Sequence, residues 1–185
     1  MNRFRFLWPL VIFAALAVVL AVGLHDADQK GIIVSPLLGK PAPQFSAPNL
    51  LDPNAQVGSA QLQGGWRLFN VWGTWCVGCR AEHATLLAIQ REGRVPVIGL
   101  DWKDTDEDAL AWLQKFGNPY QAVGTDRDGR IAIDWGVYGA PESFLVGPDG
   151  LVKQKRTGAM TLELWNDCFL PYLTQQRPSL PAKCT

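Results

Sequence analysis

The 185 residues carry no net charge, because 17 Lys and Arg are balanced by 17 Asp and Glu. Such a chain lacks the basic surface that nucleic-acid phosphates require, which argues against nucleic acid as its main partner. Histidine is scarce at two residues, and four cysteines are too few for a disulfide-built mini-protein. No repeat or low-complexity run is present, and the 18 Gly and 13 Pro are scattered, which excludes collagen-like and disordered classes. The apolar content, 48% in all, is unevenly placed, with no charge anywhere in the stretch Phe6–Leu24. Beyond residue 24, 15 basic and 17 acidic groups remain on 161 residues. That is one domain of ordinary size with room for a core.

Phe6–Leu24 reads FLWPLVIFAALAVVLAVGL. At about 1.5 Å per helical residue it spans roughly 28 Å, close to the thickness of a bilayer core. Arg3 and Arg5 precede it and Asp26 and Asp28 follow it. The positive-inside rule then keeps the amino terminus cytoplasmic and sends the rest across. The competing reading is a cleaved signal peptide, against which stand the length of the run and the lack of an Ala-x-Ala site after it. On either reading the globular part is extracytoplasmic, where cysteines tend to be oxidised. Residues 25–45, with Pro36, Pro41 and Pro43, read as an extended linker.

Trp66–Trp72 (WRLFNVW) is a buried-strand pattern that leads through Gly73-Thr74-Trp75 into Cys76. A helix is expected over Cys79–Gln90, with Ala84, Leu87 and Ala88 on one face and Gly93 ending it. Val95–Leu100 is the next strand. Asp104–Phe116 is a capped helix with Ala109, Trp112, Leu113 and Phe116 as its apolar stripe. Tyr120–Val123 suggests a short strand and Arg130–Trp135 a short helix. Ser143–Val146 and Leu151–Arg156 flank Gly147-Pro148-Asp149-Gly150 as a hairpin. Thr161–Leu173 is a last amphipathic helix, and residues 174–185 are a tail. The order predicts an α/β mixed sheet with helices on both faces.

Cys76 and Cys79 stand where a strand turns into a helix. Cys76 falls at the helix amino terminus, where free N–H groups and the macrodipole favour a thiolate. It is therefore expected to be the attacking sulfur. Cys79, one turn further in and expected to be more buried, is the resolving thiol. A purely structural disulfide is a weaker reading, since a bridge closing so short a loop stabilises little. A zinc half-site lacks further ligands at familiar spacing. Haem attachment needs His directly after the second cysteine, where Arg80 stands. His83, two helical turns from Cys76, is too far to act as its base.

The stretches FNVWGTWCVGCRAEH at 69–83, WKD at 102–104, GNPY at 117–120 and GVYGAPESFLV at 136–146 resemble the membrane-anchored, thioredoxin-fold DsbE/CcmG family, which serves cytochrome c maturation. The resemblance covers roughly residues 36–173 and the anchor. It implies that Pro141 is a cis-proline facing the cysteine pair. It also implies that Ala140 offers its backbone to an extended substrate, and that Glu82 and Glu142 ring the site. Trp75 would pack beside the disulfide mouth. Asn70 stands where thioredoxins place a buried Asp, so proton handling falls to another group such as Glu82. Between the cysteines, Val77-Gly78 lacks the proline often found there. Cys168 and Cys184 lie outside the resemblance and read either as a second disulfide or as a pair in which Cys168 is a buried free thiol.

The expectation is thus a thioredoxin-like domain behind one transmembrane helix, anchored in the inner membrane and facing the periplasm. It would be a thiol:disulfide oxidoreductase that keeps the haem-binding cysteines of apocytochrome c reduced. The resemblance implies apocytochrome c as substrate and a DsbD-type membrane reductase as electron donor. No metal, nucleotide or organic cofactor is called for. A broad-specificity anchored reductase of the TlpA or ResA kind is the nearest alternative. A peroxiredoxin is suggested by Lys40–Phe45 but not by the residues before Cys76, and a copper metallochaperone rests on ligand softness alone.

Overall fold

The structure, a computed structural model, describes residues 8–30, 35–174, 178, 179, 181 and 184. It divides into two units, Met1–Val34 and Ser35–Thr185. In the first, α1 (Trp8–Lys30) takes in the apolar run from Trp8 onward and continues through residues 25–30, where the sequence predicts an extended linker. Among the described residues no helix is long and apolar enough to cross a membrane.

The second unit is built on one seven-stranded sheet in the order β2-β1-β5-β4-β3-β6-β7. β3 (Arg67–Trp72) is an interior strand whose aromatic and β-branched residues are buried on both faces. β3 pairs in parallel with β4 (Val97–Trp102), which pairs in parallel with β5 (Ala122–Asp126). On the other side of β3, β6 (Glu142–Val146) and then β7 (Val152–Thr157) run antiparallel. α2 (Val77–Glu92) and α3 (Asp106–Phe116) are the crossovers of the parallel strands. Thr105 caps α3 by accepting the Asp108 N–H, and Gly93 ends α2 with a left-handed φ of 67°. α4 (Arg130–Asp134) precedes β6.

Strand alternation splits the core in two. Leu68 and Trp72 face α2, α3 and the last helix, whereas Phe69 and Val71 face Trp135 and Val137. The final helix, expected to be continuous over Thr161–Leu173, is interrupted. α5 (Leu162–Leu164) passes through a π-turn at Trp165–Phe169 into α6 (Leu170–Thr174). There the Leu170 N–H reaches back to Trp165 O, and the wider turn buries Trp165, Cys168 and Phe169 together.

An antiparallel pair at the far edge, β1 (Ser46–Asn49) and β2 (Asp52–Gly58), had no sequence signal. SAPN and DPNAQVG are polar, and proline is tolerated on an edge strand. Part of the stretch read as linker lies along β7: the Gly39 N–H donates to Val152 O and the Val152 N–H to Lys40 O.

Cys168 and Cys184 are joined as a disulfide, with Cα atoms 5.3 Å apart and a sequence separation of 16. Gln154, on β7, donates Nε2–H to Cys184 O at 2.9 Å, so the tail is fixed both to the π-turn and to the sheet. A loop of this length restricts the unfolded chain by about 3 kcal/mol. Replacing both cysteines by serine is therefore expected to lower stability by about 3 kcal/mol in urea titrations of the oxidised protein. An unchanged midpoint would rule out the tether as a stabilising element.

Candidate active site

The site forms where β3 ends. The chain leaves Trp72, turns through Gly73, Thr74 and Trp75, and enters α2 with Cys76 as its N-cap. Cys76 N–H donates to Gly73 O at 3.2 Å. Cys76 Sγ accepts the Cys79 N–H at 3.0 Å and is bonded to Cys79 Sγ, with Cα atoms 5.3 Å apart. In this disulfide form Cys79, 3% exposed, is only marginally more buried than Cys76, 4% exposed, so position at the helix terminus separates the two cysteines more clearly than burial does. Exposed Trp75 and Val77 stand on either side of Cys76. Trp75 is anchored by its Nε1–H to Trp102 O at 3.1 Å, with the two indoles 5.6 Å apart.

The Ala140–Pro141 peptide bond is cis. Pro141 lies against α2 so closely that a Cβ built on Gly78 would stand 2.7 Å from Pro141 Cδ. A side chain at residue 78 would therefore require the Pro141 ring or the start of α2 to shift.

α2 buries Cys79, Glu82, His83, Leu86 and Ile89. The face expected from Ala84, Leu87 and Ala88 is not the core face. Glu82 and His83 are polar, yet each finds partners inside. His83 Nε2–H donates to Gly117 O at 3.0 Å, with its ring edge-on to Trp112. Burial holds His83 below the usual imidazole range.

Glu82 belongs to a buried network that sequence reasoning reached only in part. Asn70 Nδ2–H donates to Glu82 Oε1 at 2.8 Å and to Ser143 Oγ at 3.0 Å. Asn70 Oδ1 accepts the Tyr120 hydroxyl at 2.8 Å, and the Met160 N–H donates to Glu82 Oε2 at 2.7 Å. Burial pushes the Glu82 carboxyl up to about 7, against the lowering effect of the Met160 and Asn70 hydrogen bonds. Tyr120 stacks on Trp72, and burial first, then the charges of Glu82 and Asp101, raise its hydroxyl well above the usual range.

Glu142 is placed differently from the expected rim position. It is fully buried beyond the cis-proline and paired with Lys155, at 2.7 Å. Asp101 had no sequence signal beyond its place after an apolar strand. It sits beside Trp72 in the sheet register and is 1% exposed. Among the described residues neither of its oxygens has a hydrogen-bond donor. Burial and the charge of Asp104 push it up to about 8.

Residues 38–155 match the AhpC/TSA family. The thiol:disulfide interchange protein DsbE of Allochromatium vinosum is 46% identical over 177 residues, covering 96% of this chain and 97% of that one. DsbE of Escherichia coli K12 is 38% identical, covering 92% and 94%. The structure of a secreted thiol-disulfide isomerase from Corynebacterium glutamicum matches with a TM-score of 0.65 at 20% identity, covering 72% of this chain and 86% of that one. The fold and its cysteine pair define a thioredoxin-fold thiol:disulfide oxidoreductase. Within the AhpC/TSA family, the chain belongs to the DsbE thiol:disulfide interchange proteins.

Two outcomes follow from this packing. A methyl at residue 78 cannot be relieved by a flexible neighbour, because the atom it meets belongs to a proline ring. Gly78→Ala is expected to destabilise the oxidised protein by about 1–3 kcal/mol in thermal melts. An unchanged melting temperature would show that Pro141 yields freely. For Glu82, the carboxyl is protonated in both states below pH about 4.5. Between pH 4.5 and 7 only the unfolded chain releases the proton, so stability falls as pH rises and levels above 7. This group accounts for roughly 3 kcal/mol of that fall. Glu82→Gln should remove its share of the slope in urea titrations across the same pH range, and an unaltered slope would contradict the raised carboxyl.

Proposed function

We propose that this oxidoreductase works as a periplasmic reductase, tethered to the inner membrane, that keeps the C-x-x-C-H cysteines of apocytochrome c as dithiols until haem is attached. The observation that carries the reading is Cys76 Sγ at the amino terminus of α2, accepting the Cys79 N–H, beside the cis-proline loop. The helix end stabilises negative charge on that sulfur, as an attacking thiolate requires.

In the reduced enzyme, Cys76 thiolate attacks one sulfur of the substrate disulfide. A mixed disulfide forms, and the other substrate sulfur leaves as a thiolate that takes up a proton. Cys79 gives up its proton and attacks Cys76 Sγ. That closes the Cys76–Cys79 bond and releases the second substrate thiol. The substrate gains two electrons and the enzyme pair loses them, so another dithiol protein must restore the pair. A DsbD-type membrane reductase is the donor this reading assigns. Glu82, on the same buried face of α2 as Cys79 and with a carboxyl near neutrality, is the group suited to receive the Cys79 proton. Ala140, next to Pro141, pairs through its backbone with the extended substrate.

The anchor is supported by the uncharged run Phe6–Leu24, by Arg3 and Arg5 before it, and by the helix that begins at Trp8. A tether raises the local concentration of the domain near a membrane donor and a membrane-delivered substrate.

Trapping tests the reading. Cys79→Ser should accumulate a mixed disulfide with an apocytochrome c peptide carrying C-x-x-C-H, seen as a reducible mass adduct, and Cys76→Ser should not. Capture of many unrelated proteins with no preference for that peptide would replace this reading with a broad-specificity reductase.

A further inference from the structure

The loop from Gly136 to Pro141 connects α4 to β6, and one buried side chain meets it at three points. Lys155, on β7, stands opposite Phe144 of β6, and its side chain is 7% exposed. Its Nζ lies 2.7 Å from Glu142 Oε2. It donates to Gly136 O at 3.1 Å. It also stands 5.3 Å from the centroid of the Tyr138 ring and 5.0 Å from that of Phe144. Glu142 Oε1 in turn accepts the Tyr138 N–H at 3.4 Å. At the exit of the loop, the Gly158 N–H donates to Pro141 O at 2.8 Å. One ammonium group therefore ties together the entry of the loop at Gly136, its middle at Tyr138 and its end at Glu142.

Thiol–disulfide exchange makes no use of a charge at this place. A buried ion pair is a poor device for stability, because desolvation offsets most of its attraction and apolar residues of similar volume hold two strands as well. Its advantage is geometric, since charged hydrogen bonds fix directions that apolar packing leaves loose. Above the ammonium, Tyr138 presents a ring that is 63% exposed, held from below by a cation–π contact. Ala140 follows two residues later, immediately before the cis bond.

We propose that Lys155 is a positioning residue for polypeptide substrates, fixing the Gly136–Ala140 loop so that the Tyr138 ring and the Ala140 backbone meet an extended chain lying across the cysteine pair. The inference rests on the reading of this loop as the substrate edge. It adds the ion pair that holds that edge and a preference for extended peptides with apolar or aromatic side chains over small disulfides.

The test compares two substrates in steady-state reduction by full-length protein. One is a peptide with an internal C-x-x-C-H disulfide, the other a small aromatic disulfide that spans no groove. Lys155→Met should lower kcat/KM for the peptide about tenfold, chiefly through KM, and lower the small-disulfide rate far less. Lys155→Arg should restore most of the peptide reaction, because it keeps the charge and the donors. Removing one partner leaves Glu142 buried and alone, so the double variant Glu142→Gln/Lys155→Met is measured as well. It should fold, with the same selective loss for the peptide. A parallel fall for both substrates, a failure of Arg to rescue, or a double variant that handles the peptide like the wild type would each overturn the proposal. If the wild type itself does not reduce the peptide, the substrate reading above fails instead.

Discussion

The ring of Pro141 and the backbone of Gly78 are in contact with no space for a methyl between them. That contact joins two chain segments 63 residues apart in sequence, the start of α2 and the entry to β6, and it sets the geometry of everything around the sulfurs. It exists because β3 pairs with β6 in a register that places Asn70 opposite Ser143 and Val71 opposite Glu142. With that register, the loop before β6 arrives at the end of β3, where α2 begins. The disulfide thus sits between a helix terminus that favours a thiolate and the loop that carries the cis-proline.

Beneath this contact the site is polar but buried. Asn70 occupies the middle of β3 and spends its amide on Glu82, Ser143 and Tyr120. An amide cannot titrate, and the titratable group of this network, Glu82, stands on the helix packed against the strand. The Met160 N–H and Asn70 satisfy its two oxygens, while burial pushes its carboxyl up to about 7. Desolvation outweighs two hydrogen bonds and the attraction of Arg156, in keeping with its dominance for carboxyls taken out of water.

Much of this was legible from the residues, and the failures share a cause. WRLFNVW declares β3 because a fully buried strand needs apolar residues on both faces. The Thr105 cap, the Ala109–Trp112–Leu113 stripe and the Gly-Pro-Asp-Gly turn are local chemistry that tertiary structure did not override. The far-edge pair β1–β2 left no trace, since an edge strand tolerates proline and polar residues. The face of α2 was misread because Glu82 and His83 look like surface residues until the network and Gly117 O supply their partners. Asp101 and Lys155 were silent for the same reason. A buried charge is recognised by what surrounds it, and those surroundings come from strands distant in sequence. The π-turn at Trp165–Phe169 likewise shifts the buried face by a residue that helical periodicity cannot anticipate.

Three of the four buried carboxyls among the described residues, Glu142, Glu82 and Asp101, show how the same group is put to different uses. Glu142 is compensated by an ammonium 2.7 Å away, and that pairing directs hydrogen bonds at a loop. Glu82 accepts from neutral donors and feels Arg156 only through its charge, and burial outweighs both, pushing its carboxyl up to about 7. Asp101 has no donor among the described residues and lies near further acids, which pushes it highest of the two raised carboxyls. Negative charge near the cysteines opposes the helix dipole that favours a thiolate. A carboxyl raised to about 7 or 8 is only partly ionised around neutral pH and so weakens that opposition. Burial of Glu82 and Asp101 is therefore compatible with a reactive Cys76 in a way that two exposed, ionised acids at the same positions would not be.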